Sequence, residues 1–429
     1  MRLKEHIHIN PWQSLIVSFA TLIALGTLLL NLPIVTHIEP VHFMDTLFVS
    51  TSAVCVTGLS TISTSGYNWV GELVLLILMQ LGAIGIMTLS SSFILALRGK
   101  TNLKHKHSFF NTQENASLHE IDNILKFILI ITFVSEFIGA ILLTIGFSIQ
   151  GYGLLESLHQ GIFHSVSAFC NAGFSTFDNS MVGMNAIIKY TVMLLIIVGG
   201  LGYHVIYEIT QKRRSKKRYS LHTKIVLIST VGLTLIGAFL IFIFENGSAT
   251  FTDSLFQSIT TRTAGFNTID LTKMHYLSLF FMTLLMLIGA SPGSTGGGIK
   301  TTTFFIIIFS IIKILKGKTN IVLFNRSISK DVILKSFAIL TAYFTVIFLG
   351  TILLMYHTSY GFLNTLFEVT SAIGTVGLSL GVSTEVGIFG KFILIIIMFI
   401  GRVGPVSLAM LAYGKHETAK INYPEESIY

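Results

Sequence analysis

The chain has 429 residues, 52% of them hydrophobic and only 11% charged; a soluble domain carries roughly 25% charged residues, so a water-soluble enzyme or binding module is excluded. The net charge of +8 does not point to nucleic acid, because Lys and Arg gather in the N-terminal tail, three connecting loops and the C-terminal tail, as the positive-inside rule expects of cytoplasmic segments. Cys55 and Cys170 are too few for a disulfide scaffold or a cysteine metal site and read as small apolar packing residues.

Residues 1–11 are polar and basic with no cleavable-looking signal, and Arg2 and Lys4 place the N-terminus in the cytoplasm. Residues 14–32 are apolar for long enough to cross a bilayer. Residues 45–54 then read as a short helix dipping back, and 69–97 return to the basic run Arg98, Lys100, Lys104, Lys106. The plan recurs as 124–149, 158–169 and 187–209, closing on KRRSKKR at 212–218. It recurs again as 224–244, 251–259 and 276–315, near Lys313, Lys316 and Lys318, and finally as 332–356, 362–372 and 388–413, before Lys415 and Lys420. The expected fold is an all-α multi-pass membrane protein with both termini cytoplasmic. Eight spanning and four re-entrant helices form four helix, pore-loop, helix repeats (1–105, 106–218, 219–326 and 327–429), in pseudo-fourfold order around one pore.

Each repeat carries a related motif: TSAVCVTGLST at 51–61, SAFCNAGFSTF at 167–177, TTRTAGFNTI at 260–269 and SAIGTVGLSL at 371–380. A polar residue and an aromatic lead each motif, as Asp45 and Phe48, Gln160 and Phe163, Asp253 and Phe256, Asn364 and Phe367. Each sets one glycine before a large apolar residue and then Ser or Asn. Irregular backbone at membrane depth is tolerated only where it is buried in protein or lines a watery cavity. Four such loops around one axis supply a ring of carbonyls able to replace an ion's hydration shell, and glycine admits the dihedrals needed to turn them inward. The candidate cation-binding segments are Val56, Thr57 and Gly58; Asn171, Ala172 and Gly173; Thr263, Ala264 and Gly265; and Thr375, Val376 and Gly377. Thr375-Val376-Gly377 matches the first half of the potassium-channel filter. The third copy has one residue fewer between Phe256 and Gly265, which predicts a slightly different seat for its pore helix.

About 24 to 26 residues after each of these glycines comes a glycine-led break: Gly82 to Gly85, Gly199 to Gly202, Gly289 to Pro292 and Gly401 to Gly404. In the first two repeats close helix packing accounts for it. In the third it expands to GASPGSTGGGIKTTT, residues 289–303. Ile299 separates Gly298 from Lys300, and no strand of a soluble fold precedes the run, so it is not a phosphate-binding loop. Each Gly costs a helix about 1 kcal/mol against Ala, so this segment reads as an intramembrane loop and a candidate gate, with Gly289, Pro292, Gly293, Gly296, Gly297, Gly298 and Lys300 as its residues. In the fourth repeat the break carries Arg402. A charge at mid-bilayer costs about 2.5 to 3.5 kcal/mol even on the lenient scale; here it either raises a barrier to cations in the pore or organises the glycine-rich loop. Arg262, just before Gly265, either hydrogen bonds to set its helix or tunes ion access.

The four unequal copies, each with one filter glycine, together with the intramembrane loop in the third and the arginine in the last helix, resemble the Trk/Ktr/HKT superfamily of potassium transporters. The resemblance covers nearly the whole chain. It is greatest to the membrane subunit of bacterial Ktr systems, since the sequence begins at the first repeat without the additional N-terminal helix pair of the Trk type and closes on a similar short tail, YPEESIY. The resemblance implies potassium uptake, often sodium-stimulated, by a homodimer with one pore per protomer. It also implies a location in a bacterial plasma membrane, docked on a cytoplasmic ring of nucleotide-binding, RCK-type regulatory subunits. Potassium is then the transported ion, sodium a second candidate, and nucleotide belongs to the partner rather than to this chain.

Within that superfamily the rivals are a sodium-selective or Trk-type member. Plant sodium-selective relatives replace the first filter glycine with serine, whereas Gly58 is retained here. An intramembrane enzyme would need acid, base or metal-ligand spacing that the 14 His residues do not show. A coupled secondary transporter for another solute would show two related halves instead of four pore loops.

Overall fold

The computed structural model describes residues 11–37, 42–99, 118–212, 219–318 and 320–405. Arg2 and Lys4, the basic residues of 100–117, all but the first residue of 212–218, and the tail beyond residue 405 lie outside the described residues. Apart from a two-residue hairpin, β1 (Val322–Leu323) and β2 (Arg326–Ser327), turned by left-handed Phe324 and Asn325, the described elements are helical.

A long helix, a short helix, a glycine-bearing loop and a further helix follow one another four times. The first set is α1 (Pro11–Leu30), α2 (Phe43–Val54) and α3 (Trp69–Gly99). The second is α4 (Leu118–Gln150), α5 (Leu154–Phe169) and the pair α6 (Ala186–Leu201) and α7 (Tyr203–Lys212). The third is α8 (Leu221–Phe244), α9 (Phe251–Thr260), α10 (Tyr276–Leu287) and α11 (Thr301–Leu315). The last is α12 (Lys330–Tyr356), α13 (Phe362–Gly374), the single turn α14 (Val382–Glu385) and α15 (Ile388–Val403).

Two of the expected continuous helices are broken. Residues 187–209 bend by 93° between α6 and α7, because Gly202 adopts φ 83° and a side chain there would strike the Pro292 carbonyl. Residues 276–315 are interrupted between α10 and α11 by the glycine-rich loop. By length and composition four described helices can cross a membrane, α3, α4, α8 and α12, and the bent pair makes a fifth. Among the described residues that criterion thus finds five of the eight expected spans; α10 and α11 are each too short alone, and part of the expected span 388–413 lies outside the described residues.

The short helices form the centre. Phe48, Phe163, Phe256 and Phe367 are all fully buried, and hydroxyls behind them bind the long helices. Ser50 donates to the Ile23 carbonyl (2.8 Å), Ser165 to Glu136 (2.6 Å) and Ser258 to Thr234 (2.9 Å). Lipid-facing helices expose large side chains, among them Phe137, Phe239 and Phe348, as an apolar solvent permits.

Neighbouring sets are tied at the outer ends of the short helices. Lys189 of α6 pairs with Asp253 of α9 at 2.7 Å, and His159 of α5 meets Glu72 of α3 at 2.9 Å. Lys391 of α15 pairs with Asp45 of α2, joining the last set to the first. Removing one partner of a largely buried pair strands the other charge, at about 3 kcal/mol. Lys391→Met is therefore expected to lower the apparent melting temperature in detergent clearly, and the double variant with Asp45→Asn to recover most of it. Equal melting of the single and double variants would show that the pair does not couple the sets.

Candidate functional site: a ring of four loops

Each loop leaves its short helix in the same way. Two residues before the glycine the backbone is left-handed, at Val56 (φ 56°), Asn171 (φ 58°), Thr263 (φ 71°) and Thr375 (φ 51°). The glycine is left-handed again, at Gly58 (94°), Gly173 (72°), Gly265 (81°) and Gly377 (93°). Asn tolerates this region, but Val and Thr are β-branched and strained there. Strain of about 1–3 kcal/mol per residue persists only where the surroundings over-determine it, typically at functional sites.

The turns differ in length. Thr57, Ala172 and Val376 donate their N–H groups five residues back, to the carbonyls of Ser52, Ser167 and Ser371, each at 2.8 Å. In the third copy Ala264 reaches only four residues back, to Thr260 at 2.9 Å. The residue missing between Phe256 and Gly265 is thus taken up in the turn, and Phe256 keeps the buried seat of its counterparts.

The loops close on one another. A Cβ on Gly58 would strike the carbonyl oxygen of Ala172, on Gly173 that of Ala264, on Gly265 that of Val376 and on Gly377 that of Thr57. The contacts run from copy one to two, three, four and back to one. Left-handed backbone and a neighbouring carbonyl both demand glycine at these positions.

On one side the four glycines border a cavity of about 560 Å³ that also reaches Ser63, Asp178, Asp270 and Lys273. Asp178 accepts hydrogen bonds from Ser63 and, at 2.6 Å, from Ser65, and these hold its carboxyl below the usual range. The hydroxyl of Thr272, with Lys273, does the same for Asp270. Both are therefore ionised beside the ring, Asp178 held by hydroxyls alone and Asp270 paired with Lys273 at 3.1 Å.

On the other side lies the glycine-rich loop. Gly289 donates to Ile299 at 2.9 Å, closing the loop at its neck, where a Cβ on Gly289 would meet Gly297. The Pro292 carbonyl abuts Gly202, and the Gly293 carbonyl accepts from the Tyr203 N–H at 3.1 Å, docking the loop in the α6–α7 bend. Gly296 leaves no room for a side chain against the Thr263 hydroxyl, and Gly297 donates to Thr375 Oγ1 at 3.1 Å. Gly298, at φ 70°, backs onto Gly289. The loop thus touches two of the strained residues directly. Lys300 Nζ returns to the Gly296 carbonyl at 2.7 Å.

Arg402 is buried and donates through Nη1 to the Thr295 carbonyl of this loop and through Nη2 to the Gly82 carbonyl at 2.9 Å. Among the described residues no carboxylate pairs with it. Below the loop, Lys300, Tyr343 and Arg402 line a second cavity of about 190 Å³. Arg262 instead turns to α8, donating to the Thr230 carbonyl (3.1 Å) and to the Thr234 hydroxyl, the helix-setting arrangement of its two expected roles.

The chain matches the family model described as TrkH, cation transport protein, over residues 10–244 and 245–423. It belongs to the TrkH family of cation transport proteins. The sequence is 35% identical to the Ktr system potassium uptake protein B of Bacillus subtilis, across 99% of this chain and 97% of that protein. It is 36% identical to the potassium/sodium uptake protein NtpJ of Enterococcus hirae, across 100% and 99%. The crystal structure of the potassium transporter TrkH from Vibrio parahaemolyticus superposes with a TM-score of 0.75 at 19% identity, covering 96% of this chain and 86% of that one, which establishes a shared fold. Membership of the TrkH family makes this chain a membrane cation transporter and not an enzyme.

Three buried polar residues of this TrkH-family chain escape a reading by motif. Glu136 of α4 binds Gln80 at 3.1 Å, and Cys170 Sγ lies 3.2 Å from Gln80, so Cys170 is not merely apolar filler. His164 and Glu368 sit fully buried behind the second and fourth loops. A charge inside an apolar helix was the available signal; comparing equivalent positions across the four copies reveals the rest.

The break glycines serve packing: a Cβ on Gly82, Gly199 or Gly401 would strike the last carbonyls of its own short helix, those of Val54, Phe169 and Ile373. Gly199→Ala is therefore expected to destabilise the folded protein by about 1–3 kcal/mol through overpacking. Gly85→Ala, whose nearest neighbour is the Phe19 ring at 3.8 Å, should be neutral or slightly stabilising. Thermal unfolding of both in detergent checks this, and equal melting would refute the close approach.

Proposed function

We propose that this TrkH-family chain is the pore subunit of a Ktr-type potassium uptake system, with the four-loop ring as its selectivity filter. The observation that carries the reading is the closed ring of left-handed glycines, each lodged against the carbonyl of the next copy. Carbonyl oxygens replace potassium's hydration shell, while Asp178 raises the local cation concentration at the mouth. Residues 289–303 form the gate beneath it. Arg402, bonded to Thr295, holds that gate shut and adds a positive charge that opposes passing cations. The relatives' names support potassium as cargo, and NtpJ supports sodium as a second cargo or stimulating ion. A homodimer in the plasma membrane, with a cytoplasmic nucleotide-binding RCK-type ring as regulator, completes the proposed system.

Uptake into a potassium-uptake-deficient bacterium tests the filter. Gly58→Ser places a side chain on a left-handed backbone against the Ala172 carbonyl, and potassium-over-sodium preference should fall at least several-fold; unchanged preference would remove Gly58 from the filter.

For the gate, both Arg402→Ala and Arg402→Gln release the Thr295 carbonyl and remove the charge, so potassium flux per folded dimer should rise. Lower flux in both variants, with normal assembly, would instead make Arg402 an organiser of the conducting shape. Deleting residues 296–298 should likewise raise basal flux and weaken regulation.

A further inference from the structure

The four loops differ in a respect that fourfold repetition does not require. Two residues past each ring glycine stands a hydrogen-bonding side chain: Ser60, Ser175, Asn267 and Ser379. In the first and third copies it donates back into its own loop, Ser60 to the Ile62 carbonyl and Asn267 to the Ile269 carbonyl at 2.9 Å. In the second and fourth the polarity reverses. Ser175 accepts from the Phe177 N–H at 3.2 Å and Ser379 from the Gly381 N–H at 3.0 Å, so the hydroxyl protons are directed to the short helix behind.

There the acceptors are His164 and Glu368, which occupy the same position, directly after the buried phenylalanine of the short helix; the first copy has Val49 and the third Gln257 at the equivalent place. His164 Nδ1 faces the Gln160 carbonyl at 2.8 Å. A carbonyl can only accept, so the proton sits on Nδ1 and Nε2 is free to accept from Ser175 Oγ, 3.1 Å away. Glu368 receives Ser379 Oγ at 2.9 and 3.0 Å and the Ser383 N–H at 3.1 Å. Copies two and four stand across the ring from each other, because each abuts only copies one and three.

We infer that His164 and Glu368 are positioning residues for ion discrimination: they fix one diagonal of the ring and leave the other to adjust. The inference rests on the ring being the selectivity filter. His164 and Glu368 are buried, and orphaning such a group is costly, so each loop is held by a hydrogen bond that the buried side chain cannot trade for one to water.

Rubidium uptake competed by sodium, in the same deficient host, measures discrimination. Glu368→Val and His164→Val, which copy Val49, should each reduce it about tenfold, the scale of one net hydrogen bond. Glu368→Gln keeps an acceptor oxygen for Ser379 and should keep most of it, while Gln257→Val should leave it unchanged. Parental discrimination in both valine variants, or an equal loss in Gln257→Val, overturns the inference. Should a valine variant fail to assemble, Glu368→Val with Ser379→Ala removes both side chains of the pair at once, so that neither is left facing the other's absence; discrimination must still be lost, and its retention overturns the inference. Gly377→Ala separates the two levels. If it loses discrimination while the valine variants keep it, only the positioning role falls; if it too keeps discrimination, the filter reading falls with it.

Discussion

The constraint on which the structure depends is backbone lodged against backbone at the centre of the molecule. Each ring glycine occupies space that a methyl group would deny to the carbonyl of the next copy, and it does so in a conformation that side chains resist. Dihedrals of this kind hold only if the surroundings cannot relax. The buried phenylalanines, the serine-to-carbonyl bonds of Ser50, Ser165 and Ser258, and the ion pairs at the outer helix ends all restrain the short helices that carry the loops. Helix-to-helix contact in lipid gains little from the hydrophobic effect, so such polar ties and close glycine approaches carry the specificity.

Arg402 concentrates the electrostatics in one place. Its two terminal nitrogens reach the glycine-rich loop and α3, while its Nε finds no partner among the described residues. A buried cation satisfied only by neutral carbonyls is poorly compensated. That makes it responsive: a shift of either carbonyl changes what the charge faces, and the loop that supplies one of them also touches Thr263 and Thr375 in the ring. The ring and the glycine-rich loop thus share a boundary of a few side chains.

Much of this was legible in the sequence because it is written four times. Repetition identified the ring glycines, the aromatic leaders and the short helices to within a few residues, and the glycine-rich run at 289–303 could not be a regular helix. What was not legible came from interactions between copies. The 93° bend at Gly202 depends on Pro292 and Gly293, nearly a hundred residues away. The shortened third copy implied a displaced helix, whereas a four-residue turn at Ala264 absorbs the difference. Glu136, His164 and Glu368 are single polar letters in apolar segments, and only their partners Gln80, Ser175 and Ser379 give them meaning.

The tie between Asp45 and Lys391 has a consequence for how the molecule is made. The first short helix is synthesised early, yet its neighbour on one side, α15, arrives 346 residues later, and the Thr57 carbonyl likewise waits for Gly377. Until then the first loop has an open flank, with a carboxylate and a carbonyl that lack their native partners. The ring is therefore a seam sewn from both ends of the chain, and no portion of the polypeptide short of the fourth copy can close it.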